Sequence, residues 1–64
     1  MKYHSGMKLH RGDILISPVE HKRLEFVRED ETRIYSRFEG IQTKNTLTQR
    51  KSDLQIDRWE VEQK

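Results

Sequence analysis

Residues 23–38 read RLEFVREDETRIYSRF and carry the clearest structural signal in this 64-residue sequence. Apolar and polar side chains alternate in both halves of the stretch, as in strands that bury one face and expose the other. The polar residues 29–32 separate the two halves, and a connection of this length is typical of a β-hairpin. The stretch therefore predicts two antiparallel strands, at residues 23–28 and 33–38.

Shorter apolar segments lie on both sides of this hairpin. Before it, residues 14–16 form an apolar run between turn-forming residues, which favours a short buried strand. After it, Gly40 stands where the alternation slips by one position, so we expect a bulge or a sharp bend there. Towards the C-terminus the pattern predicts a short strand around 46–48, a helical turn near 53–57 and a final strand at 59–61.

The predicted elements amount to an all-β domain of about five antiparallel strands with one short helical turn. Because large apolar residues are few, a sheet curled into a partial barrel would bury them most completely. We expect the interior to be formed by eight side chains: Ile14, Ile16, Leu24, Phe26, Ile34, Phe38, Leu47 and Trp59.

The order of these elements resembles that of small SH3-like barrels. The shared features are a first strand with the sequence GDILI at 12–16, a long first loop, a meander, a helical turn and a closing strand with WEV at 59–61. The short, charged, cysteine-free composition also resembles accessory proteins encoded by tailed bacteriophages and mobile elements. SH3-like barrels serve unrelated roles, so the resemblance implies an architecture and little about function.

Size and composition allow one thin-cored domain. Hydrophobic residues make up 31% of the chain and charged residues 38%. Cysteine is absent, which removes disulfides and thiolate metal sites as supports for so small a fold. We expect a single domain over residues 9–62, preceded by a flexible tail over residues 1–8. A homodimer is an alternative way to complete the core.

The sequence predicts a cytoplasmic chain with no membrane partner. No apolar run approaches the roughly 20 residues that cross a bilayer, and the N-terminus lacks the apolar segment of a signal peptide. The formal net charge is only +2, with 13 basic residues interleaved among 11 acidic ones. The overall charge therefore does not by itself indicate a nucleic-acid partner.

Catalytic, cofactor and metal sites are not predicted. The spacing of His4, His10 and His21 matches no zinc motif, and no serine lies in a glycine-flanked elbow. A phosphate-binding glycine loop is also missing, and a small barrel has no room for a deep pocket. We expect a non-enzymatic binding module that holds no cofactor and no metal ion.

One strand face is a candidate binding surface. Arg33, Tyr35 and Arg37 alternate with apolar residues, so two cations would flank an aromatic ring on the polar face. Arginine contacts to phosphate and base stacking on tyrosine are typical of single-stranded nucleic-acid binding. Four more cations would extend this face if the fold brought them near: Arg28, Lys44, Arg50 and Lys51.

The same pattern has a second interpretation, as the solvated side of an amphipathic hairpin whose long cationic side chains cover apolar ground. Acidic residues nearby, such as Glu25 and Glu39, would repel phosphate and favour this interpretation. Trp59 is expected in the core, since the one tryptophan of a small domain supplies much apolar area.

Two classes of function stay open. The first is a protein-interaction module, an inhibitor or adaptor that docks a sheet edge or a loop on a larger, host protein, as the phage-like resemblance implies. The alternative is a nucleic-acid-binding accessory module that uses the face of Arg33, Tyr35 and Arg37.

Overall fold

The computed structural model describes residues 1–41 and 44–63. Its elements, in chain order, are β1 (Ile14–Ile16), β2 (Arg23–Glu29), β3 (Arg33–Phe38), β4 (Leu47–Arg50), α1 (Lys51–Ile56) and β5 (Glu60–Glu62). The strands form one antiparallel sheet in the order β4-β3-β2-β1-β5. The prediction of a small all-β domain with five antiparallel strands and one short helix is confirmed.

The sheet is open, which differs from the predicted partial barrel. β4 and β5 lie at its opposite ends, and the described strands show no pairing between them. One side of the sheet is instead covered by α1 and by the N-terminal segment, residues 1–9. The N-terminal segment and α1 supply apolar side chains to the core, so the sheet does not need to close into a barrel to bury its apolar side. The resemblance to SH3-like barrels stays a prediction.

The predicted hairpin is formed by β2 and β3. Asp30 organises its turn, because Oδ1 accepts hydrogen bonds from the backbone N–H groups of Thr32 at 2.9 Å and Arg33 at 2.7 Å. These bonds hold the pKa of Asp30 below its usual value. The register shifts between Phe26 and Arg28, so β2 contains an irregularity that the sequence pattern did not predict.

At the other end of β3 the chain turns at Gly40, as predicted. The φ angle of Gly40 is 82°, in the left-handed region that glycine adopts without strain. The predicted strand at 46–48 corresponds to β4, which begins one residue later, and the helical turn at 53–57 corresponds to α1, which begins two residues earlier.

The core lies on the covered side of the sheet, which we call the core side. Leu15 of β1 is paired with Leu24 on one neighbour and with Val61 on the other, so the three side chains point the same way. They belong to a cluster of nine buried residues: Tyr3, Met7, Leu9, Leu15, Leu24, Phe26, Ile34, Leu54 and Val61.

Only three of the eight predicted interior residues, Leu24, Phe26 and Ile34, belong to this cluster. The other five differ in position. Ile14 is buried but faces away from the cluster, Ile16 is half-buried, Trp59 packs against the cluster from its margin, and Phe38 and Leu47 are exposed. Leu15 takes the place predicted for its two neighbours because the register turns it towards Leu24 and Val61.

The N-terminal segment is part of the domain, which corrects the boundary expected at residue 8. The backbone N–H of Tyr3 donates to the carbonyl of Trp59 at 2.8 Å, and the N–H of Val61 donates to the carbonyl of Met1 at 2.6 Å. The Tyr3 side chain is only 3% exposed. Residues 1–3 thus extend the sheet beyond β5, and the core takes one of its two buried aromatic side chains, Tyr3, from the segment expected to be a tail.

Candidate binding surfaces on the two sides of the sheet

The predicted cationic face lies on the side of the sheet opposite the core, which we call the outer side. Arg33, Tyr35 and Arg37 alternate with the buried Ile34 and Ser36 along β3, so the three share this side. Two of the additional cations adjoin them across the strands. Arg28 of β2 pairs with Tyr35, and Arg50 of β4 pairs with Arg33.

Arg37 is neutralised by a carboxylate. It stands opposite Glu25 in the register of β2 and β3. Its guanidinium donates to Glu25 Oε1 from Nε at 3.0 Å and from Nη2 at 2.8 Å. Both side chains are mostly buried, so this contact is firmer than a freely solvated ion pair. Arg37 therefore lies on the predicted face without adding to its positive charge.

Tyr35 is engaged on its ring and on its hydroxyl group. The Cζ atom of Arg28 lies 3.8 Å from the centroid of the Tyr35 ring, a cation–π contact. The hydroxyl donates a hydrogen bond to Asp30 Oδ2 at 2.9 Å. Arg28 thus already occupies one face of the Tyr35 ring. The sequence instead predicted a ring free to stack on bases.

The two lysines of the predicted face lie elsewhere. Lys51 Nζ is 3.4 Å from Glu29 Oε1. Glu29 pairs with the buried Ile34, so this contact is on the core side. Lys44 is exposed in the connection before β4, and among the described residues it makes no contact with the other cations.

Three exposed arginines remain, and we call them the arginine cluster: Arg28, Arg33 and Arg50. None of them forms an ion pair within residues 1–41 and 44–63. They occupy adjacent strands at the end of the sheet where the β2–β3 turn lies. The β2–β3 turn also brings carboxylates to this region: Asp30 is ionised and attracts Arg33, and Glu31 is exposed in the turn.

Elsewhere on the outer side, cations are matched by carboxylates. Arg23 lies 2.7 Å from an oxygen of Glu39 and 2.6 Å from an oxygen of Glu62, and both contacts raise the pKa of Arg23. Lys2 Nζ lies 2.7 Å from Glu60 Oε1 and helps to hold the pKa of Glu60 below its usual value. The three arginines of the cluster therefore differ from Arg23, Arg37 and Lys2 in forming no ion pair among the described residues.

A different surface lies on the core side, beyond the reach of α1. Phe38 pairs with Leu24, and Leu47 pairs with Ser36, so both side chains point to the core side. Yet Phe38 is 40% exposed, Leu47 42% and nearby Ile41 50%. We call these three residues the apolar patch. The sequence pattern placed Phe38 and Leu47 on the correct side, but no element of the described chain covers them.

Two shallow depressions border the apolar patch. One, of about 220 Å³, is lined by Phe38, Ile41 and Leu47 together with Arg37 and the connection before β4. The other, of about 300 Å³, shares Phe38 and Leu47 and extends towards Gln49 and Trp59. The patch is therefore a contoured surface that can receive side chains of another molecule.

An open edge adjoins this patch. The outer edge of β4 pairs with no strand in the described chain, whereas β5 is flanked by residues 1–3. Gln49 of β4 has a buried Oε1 with no hydrogen-bond partner among the described residues. An unpaired edge beside exposed apolar groups is a feature that a docked strand would satisfy.

The described residues contain no group of three His, Asp or Glu side chains placed to hold a metal ion. The backbone N–H of His10 donates to Asp13 Oδ2 at 2.8 Å, so this buried carboxylate has a structural role in its loop. No helix in the described part of the chain is long and apolar enough to cross a membrane. The predictions of no metal and no catalysis stay predictions.

Comparisons with known proteins identify no relative of the chain. No protein-family model matches it. No curated protein and no solved structure matches it either. Its function must therefore be inferred from the apolar patch and the arginine cluster themselves.

Proposed function

We propose that the chain is a cytoplasmic, non-enzymatic protein-interaction module, a small inhibitor or adaptor that docks on a larger protein through the apolar patch. One observation carries the proposal: three large apolar side chains are exposed together, in continuity with the core and beside an open sheet edge. Contiguous exposed apolar patches on a protein surface often mark sites that bind other proteins.

The amount of exposed apolar surface indicates how a partner would bind. Full burial of a large apolar side chain stabilises by about 1.5–3 kcal/mol, so covering the exposed parts of Phe38, Ile41 and Leu47 would yield roughly 3 kcal/mol in total. Association itself costs at least about 4 kcal/mol in lost freedom of motion. Apolar contact with the patch alone is therefore insufficient, and additional hydrogen bonds are needed.

The open edge of β4 supplies those bonds. We infer that the occupant is an extended segment of the partner that pairs with β4 and points alternate apolar side chains at the patch. Such a segment would lie beside Gln49, the β4 residue that lines the larger depression.

The charges around the patch do not favour a charged partner. Lys22 Nζ lies 2.7 Å from Glu20 Oε2 at the rim of the larger depression, and Arg37 at the rim of the smaller one is paired with Glu25. Because these rim charges cancel in pairs, the partner segment is expected to be apolar and uncharged where it meets the patch.

The experiment compares two lysine substitutions in affinity capture from an extract of the cells that encode the chain. Leu47→Lys places a charge in the patch. Val19→Lys makes the same change at a side chain that is 84% exposed in the β1–β2 loop. We expect a partner that is retained in stoichiometric amount by the unsubstituted chain and by V19K, and lost with L47K.

Two results would overturn the proposal. Equal retention by L47K and V19K would show that the patch does not carry binding. Sedimentation of the purified chain as a dimer that L47K dissociates would show that the patch is covered by a second copy, the homodimer alternative, and not by a different protein.

A further inference from the structure

We propose that the arginine cluster binds the phosphate backbone of a single-stranded nucleic acid, which gives the domain a second binding surface on the side opposite the apolar patch. The inference is independent of protein docking because it uses other residues on the other side of the sheet. It replaces the predicted face of Arg33, Tyr35 and Arg37 with Arg28, Arg33 and Arg50.

Arg33 and Arg50 repel each other across the sheet. They stand directly opposite each other on β3 and β4, and neither forms a salt bridge among the described residues, although Asp30 attracts Arg33 at longer range. Like charges at directly opposed positions destabilise a sheet. A bound anion between the two guanidinium groups would remove this cost and replace it with charge-assisted hydrogen bonds.

Arg28 is positioned before any ligand arrives. Its guanidinium rests on the Tyr35 ring at 3.8 Å, and Tyr35 is held by its hydrogen bond to Asp30. The guanidinium N–H groups of Arg28 donate no hydrogen bond to the described residues. A guanidinium that is already ordered loses less conformational entropy on binding phosphate than a free one.

The arginine cluster is long enough to contact several phosphates of one strand. Its members lie on three neighbouring strands, and strands in a sheet are about 4.8 Å apart, so β2 and β4 are separated by roughly 10 Å. Successive phosphates of a nucleic-acid strand advance by as little as about 3.4 Å. A linear polyanion therefore contacts all three arginines, which a single phosphate group, as in a phosphopeptide, does not.

The flat outer side also favours a single strand over a duplex. The major groove admits a helix or a two-stranded ribbon, whereas the cluster lies on the broad side of a five-stranded sheet. Because the Tyr35 ring is occupied by Arg28, the cluster reads phosphates and not bases, so we expect little dependence on base sequence.

The test uses fluorescence anisotropy of labelled oligothymidylate and oligouridylate with the full chain. We expect binding to both at low salt. The logarithm of the affinity should fall as the logarithm of the salt concentration rises, with a slope of about −2. Each of the three phosphate contacts releases condensed counterions and contributes about −0.7 to this slope. A blunt duplex of the same length should bind more weakly.

Arg50→Glu is the diagnostic substitution, and Arg58→Glu is its matched control. Arg58 is exposed in the connection after α1, away from β2, β3 and β4 in the chain, and forms no ion pair among the described residues. Both variants change the net charge equally. R50E should weaken binding by about tenfold and make the salt slope shallower by about 0.7, whereas R58E should have little effect.

The melting temperature of R50E shows whether weaker binding comes from loss of the arginine cluster or from unfolding of the domain. R50E places a carboxylate opposite Arg33, so its melting temperature should equal or exceed that of the unsubstituted chain. A labelled phosphopeptide serves as a further probe in the same anisotropy assay. The proposal would be overturned by equal oligonucleotide binding of R50E and R58E, by no oligonucleotide binding at about 50 mM salt, or by binding of the phosphopeptide alone. L47K should bind oligonucleotides normally, so failure of this site and failure of protein docking are distinguishable.

Discussion

Removing residues 1–6, so that the chain begins at Met7, should destabilise the domain by an amount close to its whole free energy of unfolding. Tyr3 is 3% exposed, and truncation of a large buried aromatic side chain costs about 3–5 kcal/mol. The truncation also removes the hydrogen bonds that join Tyr3 to Trp59 and Val61 to Met1, at about 1 kcal/mol each. A domain of 64 residues has a total stability of roughly 3–10 kcal/mol.

Urea unfolding followed by the fluorescence of Trp59, which packs against the core, measures this loss. Tyr3→Ala should lower the free energy of unfolding nearly as much as the truncation. Lys2→Ala, at an exposed neighbour that makes a solvated ion pair, should lower it by less than about 1 kcal/mol. A truncated chain with the urea midpoint of the full chain would refute the reasoning and show that these residues are a dispensable tail.

The remaining predictions concern the same layer of the core. Burial, aided by the negative charge of Glu29, raises the pKa of Tyr3 to about 12 from 10.0. The neutral phenol is favoured in the folded chain, whereas in the unfolded chain Tyr3 ionises near pH 10. The contribution of Tyr3 burial to stability is therefore complete below pH 10 and is lost as the pH rises to 12. The loss is about 3 kcal/mol at most, and urea midpoints across that range should show it in the unsubstituted chain but not in Y3F; parallel declines would contradict it. Leu54 is the buried residue of α1, so L54A should cost about 2–5 kcal/mol in urea unfolding. Ile56→Ala, at a side chain 75% exposed, should cost less than about 1 kcal/mol, and equal losses would show that α1 is not anchored through Leu54.

The hairpin could be predicted from the sequence because its alternation leaves one face apolar and the other polar. The run Ile14, Leu15 and Ile16 offers no such information, since an uninterrupted apolar strand is compatible with either face pointing inward. Pairing with Leu24 and Val61 chooses Leu15, and that register is a long-range property. The N-terminal segment was missed because its apolar residues, Tyr3, Met7 and Leu9, are four and two positions apart, so they keep neither the helical nor the strand period over the segment.

The candidate site was predictable to the same extent. Alternation placed Arg33, Tyr35 and Arg37 on one side of a strand, and the structure places them there. Which of these groups is neutralised depends on the cross-strand neighbours, and the register shift in β2 sets Glu25 opposite Arg37 and Arg28 opposite Tyr35. No pattern local to β3 contains that information, so the arginine cluster emerges only from the assembled sheet.

Site-specific photocrosslinking tests the proposed docking surface most directly. A photoreactive benzoylphenylalanine at position 47 would lie in the apolar patch beside the open edge of β4. The same group at position 56 would lie on an exposed part of α1. In the native extract, we predict a covalent adduct of one defined mass, larger than two copies of the chain, from position 47 and not from position 56. Equal adducts from both positions, or only a dimer of the chain itself from position 47, would contradict protein docking through the apolar patch.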